Sequence, residues 1–252
     1  MDPLGRFSDR VGDYVRHRPG YPRALIEFLQ AHAGLAPGAA VADVGSGTGI
    51  LTRMLLDADA RVFAVEPNDA MRSAAEEGCR GRAGFASVKG RAEASGLADR
   101  SVSLITCAQA FHWFDPAKAR MEFMRILLPG GRCALIWNTA ILKGPFAAGY
   151  EAIKSDFGTD FKEIRHEGIA AGERLAGFFG PDGWEKRAFD NFQILNWDGL
   201  KGRLLSSSYA PPAGHPRHEP MIAALRKLYE RCAVDGSVRM DYATELHLGR
   251  FS

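Results

Sequence analysis

Residues 41–55 read VADVGSGTGILTRML, and this stretch decides the fold of the chain. An apolar run with one acid, Asp43, leads into Gly45, Gly47 and Gly49, which are followed by a helical pattern. This order predicts a buried strand, a tight loop and a helix N-terminus. Glycine has no Cβ, so the loop can adopt positive φ and let a ligand approach the backbone, while the first N–H groups of the helix point to the same place. The stretch therefore predicts a site for a nucleotide-like ligand.

A second apolar run, residues 61–65, ends at Glu66 and Pro67. The acid follows the first glycine by about 20 residues, which is the separation expected for a carboxylate that binds a ribose. Glu66 suits this role because an ionised carboxylate accepts two hydroxyl hydrogen bonds; the alternative is a solvated acid at a strand end. The glycine spacing is G-x-G-x-G, whereas dinucleotide-binding proteins have G-x-G-x-x-G.

Four blocks of the sequence occur in a characteristic order: VADVGSGTG (41–49), VFAVEPNDAM (62–71), KGRAEASGLADRSVSLITCAQAFHWFD (89–115) and LLPGGRCALIWN (127–138). With these blocks the chain resembles the class I S-adenosylmethionine (SAM) dependent methyltransferases that have a type 11 domain. Within the third block, QAFHWFD is similar to a block of the trans-aconitate and related small-acid methyltransferases. The resemblance is strong over residues 14–138 and weaker beyond them.

The resemblance implies an α/β, Rossmann-like fold. We expect a doubly wound, seven-stranded mixed sheet, its last strand antiparallel between strands five and six, with helices on both faces and a helical cap. We expect a single domain of three parts: an arm and helix (residues 1–34), a SAM-binding core (35–140), and a C-terminal part that completes the sheet and carries the cap insertions (141–252).

The pattern of residues predicts further elements. Strands are expected at residues 84–90, 101–108, 132–137, 186–195 and 238–251, a turn at 129–131, and helices at 145–157 and 160–175. In the helix after the glycine loop, Leu51, Met54 and Leu55 are expected to face the core, and Thr52 and Arg53 to face outward. Prolines and histidines in residues 210–220 predict an irregular lid or tip, and the spacing of His215 and His218 is interpreted as loop polarity.

The resemblance also implies SAM as the cofactor and S-adenosylhomocysteine as its product. The implied cofactor residues are those of the loop, the ribose acid, the adenine pocket and the end of strand four: Asp43, Gly45, Ser46, Gly47, Thr48, Gly49, Glu66, Pro67, Met71, Ala92, Glu93 and Gln109. Met71 is alternatively plain core, and Glu93 a surface charge.

The acceptor is expected beyond the carboxyl end of strand four, where ligands bind in open α/β sheets. His112 is the one nearby side chain whose ordinary pKa is near ~6.5, so it is the candidate base; a structural imidazole is the alternative. The resemblance implies that an arm with Tyr-x-x-x-Arg-Pro helps to close the pocket. The predicted pocket residues are Tyr14, Arg18, Phe111, His112, Trp113 and Tyr209, with Phe111 and Trp113 alternatively core aromatics.

These expectations lead to a function. We expect a SAM-dependent methyltransferase (class 2.1.1) that acts on a small organic acceptor, a carboxylate or a hydroxyl. Two alternatives stay open: an NAD(P)-dependent oxidoreductase and a non-catalytic SAM-binding protein. The chain lacks the Asn/Asp-Pro-Pro-aromatic tetrad with which amino-methylating nucleic-acid enzymes of this fold bind a flipped base, which disfavours a nucleic-acid substrate.

Composition agrees with a small-molecule enzyme. The net charge of +2, from 32 basic and 30 acidic residues, gives no strong field toward nucleic acid or membrane. The four cysteines are isolated and are expected to be reduced, without a metal. Without a signal-like or membrane-spanning stretch, we expect a cytoplasmic protein, a monomer or homodimer.

Overall fold

The computed structural model describes residues 12, 16–159, 171–180, 183–207 and 209–251. Within these residues the helices are α1 Arg23–His32, α2 Ile50–Asp57, α3 Asp69–Gly78, α4 Pro116–Ile126, α5 Gly144–Phe157, α6 Ala171–Phe179, α7 Trp197–Leu205 and α8 His218–Cys232. The strands are β1 Ala40–Val44, β2 Arg61–Val65, β3 Phe85–Val88, β4 Val102–Ala108, β5 Leu127–Ala140, β6 Trp184–Leu195 and β7 Val238–Gly249.

The strands form one sheet in the order β3-β2-β1-β4-β5-β7-β6. Strands β1 to β5 are parallel to one another, and β7 is antiparallel to both β5 and β6. The expected seven-stranded mixed sheet is therefore confirmed, including the antiparallel last strand. Strands β2 and β3 lie on one side of β1, and β4 lies on its other side. A crevice therefore opens where β1 and β4 end.

Helices cover both faces of the sheet because successive strand residues point to opposite sides. Val41 belongs to a core cluster with residues of α1 and α2, such as Leu25 and Leu55. Its neighbour Ala42 belongs to a second cluster with Phe123 of α4 and Phe178 of α6. Strand β1 is thus buried on both sides, which explains why its sequence is almost continuously apolar.

A third core cluster joins α5, α7 and α8 to the start of β7. Tyr242 of β7 pairs with Ala140, the last residue of β5. The three helices therefore gather at the edge of the sheet where the parallel strands end, and this is also the edge where the crevice opens. We refer to α5, α7 and α8 as the cap helices.

Strand β5 is longer than expected. Residues 129–131 were predicted to be a turn before a strand at 132–137, but the strand begins at Leu127 and ends at Ala140. Its pairing with β4 shifts between Val102, opposite Leu127, and Leu104, opposite Arg132. The predicted turn is thus present as an irregularity inside the strand, where Gly130 has a φ of 79°.

Two other expectations were wrong. Residues 210–220 were expected to be irregular throughout, but α8 begins at His218. Pro220 lies in the first turn of that helix. Proline is tolerated there because the N–H groups of the first turn make no intrahelical hydrogen bonds. Thr52 was expected to face outward, but it is buried and its hydroxyl donates a hydrogen bond to Asp43. The predicted helix at 160–175 lies partly outside the described residues, and α6 continues to Phe179.

A buried carboxylate holds the loop after β3. Glu122 of α4 accepts hydrogen bonds from the backbone N–H of Ser95 at 2.8 Å and from the Arg125 guanidinium at 2.9 Å and 2.7 Å. It thereby fixes residues 91–95, the loop with Ala92 and Glu93. Sequence patterning alone assigned Glu122 no role.

We expect Glu122→Ala to lower the free energy of unfolding by about 1–3 kcal/mol, since it leaves the buried Ser95 N–H without its acceptor, while Arg125 keeps Asp99 and the carbonyl of Leu97 as partners. Urea denaturation measures this. The matched control is Glu77→Ala on the exposed side of α3, which should stay within about 0.5 kcal/mol of the parent chain. Equal effects of the two variants would contradict a role of Glu122 in holding the loop.

Candidate functional site

The glycine loop lies at the end of β1. Gly45, Gly47 and Gly49 have φ values of 70°, 56° and 77°. The N–H groups of Gly45 and Ser46 both donate to the carbonyl of Val65, which holds the loop against the end of β2. Gly49 directly precedes α2, so the free N–H groups of that helix face the loop.

The first two glycines serve different purposes. A Cβ on Gly45 would lie 2.5 Å from the Cβ of Ala110, so this position is closed by packing. A Cβ on Gly47 would meet no atom within 4 Å among the described residues. Gly45 therefore lets the loop fit against the end of β4, and Gly47 faces open space.

Glu66 lies directly after β2 and is 7% exposed. One carboxylate oxygen accepts the Gly47 N–H at 2.9 Å and the other accepts the Asn68 N–H at 2.9 Å. Burial raises the pKa of Glu66, and these two hydrogen bonds offset part of that rise. Each oxygen keeps a further lone pair, so Glu66 can still accept two hydroxyl groups from a ligand.

Asp43 is the buried acid at the end of β1, with a side chain that is 1% exposed. It accepts hydrogen bonds from Thr52 of α2 at 2.6 Å and from Thr106 of β4 at 2.9 Å. Burial raises its pKa to about 6, against which the two threonine hydroxyls act. An ionised carboxylate buried away from water lowers the stability of the fold at neutral pH. Acids with such perturbed pKa values are typical of functional sites.

An open cavity lies between the loop and the end of β4, lined by Tyr21, Asp43, Ser46, Thr48, Ala108 and Gln109, among others. The hydroxyl oxygens of Ser46 and Thr48 are buried without a hydrogen-bond partner. Buried hydroxyl groups are rarely left unpaired in folded proteins. A polar ligand in this cavity would supply the missing partners.

The predicted adenine residues lie on the other side of the loop. Met71 is buried, and its N–H donates to the Asn68 side chain, which caps α3. Pro67 is half-buried and Ala92 is buried against the second core cluster. Glu93 accepts the backbone N–H of Asp115 at 2.8 Å, so one of its oxygens already ties its loop to the start of α4.

Gln109 follows β4 in a strained conformation. Its φ of 55° is left-handed, which costs a non-glycine residue on the order of 1 kcal/mol. Its N–H donates to the carbonyl of Ile136 and its side-chain amide donates to the carbonyl of Asn138. The chain turns sharply here into a short 3-10 turn, Phe111–Trp113.

His112 lies on that turn with its ring 4.8 Å from the ring of Trp113. Burial, together with the positive charges of Arg174 and Arg18, lowers the pKa of His112 to about 4. The imidazole is therefore neutral at pH 7. A neutral imidazole can accept a proton or a hydrogen bond from a substrate without first losing its own proton.

The aromatic neighbours of His112 differ in exposure. Phe111 is buried in edge-to-face contact with Phe178 and Trp137, as expected of a core aromatic. Trp113 is 38% exposed and so is open to a ligand or to solvent. Of the two, Trp113 is the better placed to contact an acceptor.

The N-terminal arm reaches the cap helices. Arg18 donates to the carbonyl of Ser206, just past α7, at 2.8 Å. The carbonyl of Tyr209 accepts the N–H of Thr159, which follows α5. Both predicted pocket residues thus lie where α5 and α7 end, whereas the predicted pocket residue Tyr14 lies outside the described residues.

Comparison with known proteins agrees with this arrangement. Residues 42–135, from β1 to β5, match the family model of the type 11 methyltransferase domain. These residues are therefore similar to a methyltransferase domain. The glycine loop, Glu66 and His112 all lie within it.

Relatives of the methyltransferase domain occur in several organisms. An uncharacterised methyltransferase of Mycobacterium tuberculosis is 41% identical over 137 residues, which are 53% of this chain and 52% of that protein. A ubiquinone biosynthesis O-methyltransferase of Methylococcus capsulatus is 36% identical over 110 residues, 42% of this chain and 46% of that protein. The chain therefore spans about half the length of the curated relatives it matches.

A solved structure shares the fold over nearly the whole chain. A type II methyltransferase of Anaeromyxobacter dehalogenans superposes with a TM-score of 0.67 at 23% identity, covering 92% of this chain and 97% of that one. The shared architecture thus extends beyond the methyltransferase domain to β6, β7 and the cap helices.

Sequence reasoning missed three side chains next to the methyltransferase domain. Arg174 lies over the ring of Phe111, 5.6 Å from its centre. Tyr150 of α5 is buried in the third core cluster, and Arg203 of α7 is half-buried and contacts Tyr242 of that cluster. A signal for Arg203 was present, since its position is three residues after Leu200 on the same apolar face of the helix.

Metal-binding clusters and membrane-spanning helices are absent from the described residues. They contain no group of three or more His, Cys, Asp or Glu side chains arranged to hold a metal ion. None of the helices in this part of the chain has the length and apolar character to cross a bilayer. The four cysteines have free thiols, and three of them are buried.

The two loop glycines give a paired prediction. We expect Gly45→Ala to lower the free energy of unfolding by roughly 2–4 kcal/mol, because the new methyl group meets Ala110 and the left-handed φ is strained. Gly47→Ala carries only the strain, about 1 kcal/mol. Urea denaturation of both variants measures the difference, and equal losses would contradict the close packing assigned to Gly45.

Proposed function

We propose that the chain is a SAM-dependent methyltransferase that methylates a small organic acceptor through a carboxylate or hydroxyl oxygen. The observation that carries this proposal is Glu66, whose carboxylate is hydrogen-bonded to the glycine loop of a methyltransferase domain and keeps room for two hydroxyl groups. Such an acid in register with the loop is suited to a ribose.

The residues of the cavity and of the segments that follow β2 and β3 fit SAM. Its ribose would be held by Glu66, and its methionine part by the loop and Asp43, whose negative charge complements an ammonium group. The unpaired hydroxyls of Ser46 and Thr48 would gain partners. Met71 and the backbone at Ala92 would form the adenine side, with Pro67, Glu93 and Gln109 at the margins.

When bound, SAM supplies a methyl group that its sulfonium has already activated. The protein therefore has to align the acceptor and exclude water, rather than provide strong chemical activation. The 3-10 turn with His112 and Trp113 lies at the end of β4, where it would border both cofactor and acceptor. Trp113 would offer its ring face to a positive charge.

His112 would act in one of two ways. With a hydroxyl acceptor, the neutral imidazole would accept the hydroxyl proton; with a carboxylate acceptor no base is needed and His112 would orient the acceptor. Arg18 and Tyr209, together with Tyr14, would close the pocket from the arm and the cap helices, while Phe111 supports the turn from the core. The similarity of QAFHWFD to small-acid methyltransferases and the presence of Arg18 favour a carboxylate.

Ligand-dependent thermal unfolding tests the cofactor. A ligand that binds only the folded chain at a hundred times its dissociation constant adds ~2.7 kcal/mol of stability. We expect SAM and S-adenosylhomocysteine to raise the midpoint and NADH to leave it unchanged. A rise of the unfolding midpoint with NADH alone would favour the oxidoreductase alternative and contradict the methyltransferase proposal.

The ribose site has its own test. We expect Glu66→Gln to weaken S-adenosylhomocysteine binding by roughly 10- to 100-fold, because an amide nitrogen cannot accept the hydrogen bonds that the carboxylate oxygen accepts. Calorimetric titration measures this, and Glu77→Gln is the matched control. Unchanged affinity in Glu66→Gln would place the ribose elsewhere.

His112 makes stability depend on pH. Its pKa of about 4 in the folded chain lies below the ordinary value of 6.5, so its stabilising contribution is complete above pH 6.5 and is lost as the pH falls toward 4. Between pH 7.5 and 4.5 this loss amounts to roughly 2 kcal/mol. We expect His112→Gln to remove that part of the pH dependence.

Urea denaturation of both proteins at the two pH values checks this prediction. The quantity compared is the change in unfolding free energy with pH, parent minus variant, so that all other titrating groups cancel. Identical pH dependence of the two proteins would show that His112 is not held neutral by its surroundings.

A further inference from the structure

Two buried tyrosines and a half-buried arginine lie together under the cap helices. Arg203 of α7 contacts Tyr242 of β7, and Tyr150 of α5 belongs to the same core cluster as Tyr242. We call Tyr150, Arg203 and Tyr242 the cap cluster. None of these residues belongs to the proposed cofactor site, and each carries a polar group inside an otherwise apolar core.

Arg203 is a cation without a matching anion. Its guanidinium donates to the Tyr242 hydroxyl at 3.3 Å and to the Ser207 hydroxyl at 3.4 Å, two long hydrogen bonds to neutral oxygens. Among the described residues, no carboxylate lies within ion-pair distance of it. A guanidinium largely withdrawn from water is costly unless it is paired, so a bound anion would supply the charge that Arg203 lacks.

Tyr150 provides a second indication that an anion would bind beside Arg203. Its side chain is 6% exposed, and its hydroxyl has no hydrogen-bond partner. Burial raises the pKa of Tyr150 well above its ordinary value, while the charges of Arg203 and Arg18 lower it. The hydroxyl stays protonated at neutral pH and is a free donor beside the guanidinium.

The cap cluster lies on the acceptor side of the molecule. Tyr242 pairs with Ala140 at the carboxyl end of β5, the edge where the crevice opens. Arg18 of the arm binds the carbonyl of Ser206, next to Ser207, which contacts Arg203. The same arm is held by Gln193, which also accepts the Tyr242 hydroxyl. The arm therefore connects this cluster to the proposed pocket.

We propose that Arg203 and Tyr150 bind a carboxylate group of the acceptor, remote from the methylated atom; this rests on the proposed methyltransferase function. The guanidinium offers a fork of N–H donors that matches a carboxylate, and the Tyr150 hydroxyl donates a further hydrogen bond. The methyl acceptor is thus a small organic acid, selected by an anchor in the cap.

A comparison of two buried tyrosines separates this role from a structural one. Tyr229 of α8 lies in the same core, but its hydroxyl donates to the carbonyl of Gly236. Tyr229→Phe should therefore lower the unfolding midpoint. Tyr150→Phe loses no internal hydrogen bond, so its midpoint should be unchanged or higher, because an unpaired buried hydroxyl has been removed.

The binding experiment uses the complex with S-adenosylhomocysteine. Sodium acetate, succinate, citrate, benzoate and phosphate are titrated onto it, with sodium chloride at matched ionic strength, and thermal unfolding is the readout. We expect a carboxylate of this set to raise the midpoint of the parent complex. Tyr150→Phe and Arg203→Gln should each weaken that carboxylate at least tenfold, with S-adenosylhomocysteine affinity within twofold of the parent, and Tyr229→Phe should retain it.

The outcomes are separable. No shift of the parent complex with any carboxylate, a shift with phosphate alone, or equal carboxylate affinity in Tyr150→Phe would each overturn the anchor. If Arg203→Gln fails to fold, Tyr150→Phe still decides. Absence of a shift with S-adenosylhomocysteine in the parent chain would instead overturn the proposed function, on which the anchor rests.

Discussion

The site depends on one buried carboxylate. Asp43 accepts hydrogen bonds from Thr52 of α2 and Thr106 of β4, so a single side chain joins the central strand, the strand across the switch point and the helix that follows the glycine loop. Burial raises its pKa to about 6, and both hydroxyls act against this rise. The crevice keeps its shape because these three elements cannot separate without leaving an unpaired acid in the core.

The glycine loop and the position of Glu66 could be predicted from the sequence because their determinants are local. The strand, the glycine loop and Glu66 lie within 26 residues of one another, and each has a residue type that its geometry requires. The same locality explains the error at Thr52: helical periodicity assigns a face but does not register that a threonine hydroxyl can serve a buried acid nine residues earlier. Polar contacts of this kind can be identified only when the arrangement of strands and helices is known.

The proposed acceptor side could not be predicted in the same way. Tyr150, Arg203 and Tyr242 lie far apart in sequence and meet because β7 inserts between β5 and β6 and carries α7 and α8 to the end of β5. Each residue alone fits an ordinary amphipathic pattern. Their proposed role becomes clear only from unpaired groups in the folded chain. The cap cluster has a cation without an anion, and hydroxyl groups lack hydrogen-bond partners at both the glycine loop and the cap. These unpaired donors indicate where the acceptor groups of a ligand would bind.

The placement of β7 also sets an order of assembly during synthesis on the ribosome. Strands β1 to β5 can pair as they emerge, so the glycine loop and Glu66 are in place early. Strand β6 has no neighbour in the sheet until residues 238–249 have been made, because β7 lies between it and β5. A nascent chain can therefore gain its nucleotide pocket well before Tyr242 completes the cap. In such a chain cofactor binding would precede acceptor selection, and early ligand capture could stabilise the half-built sheet.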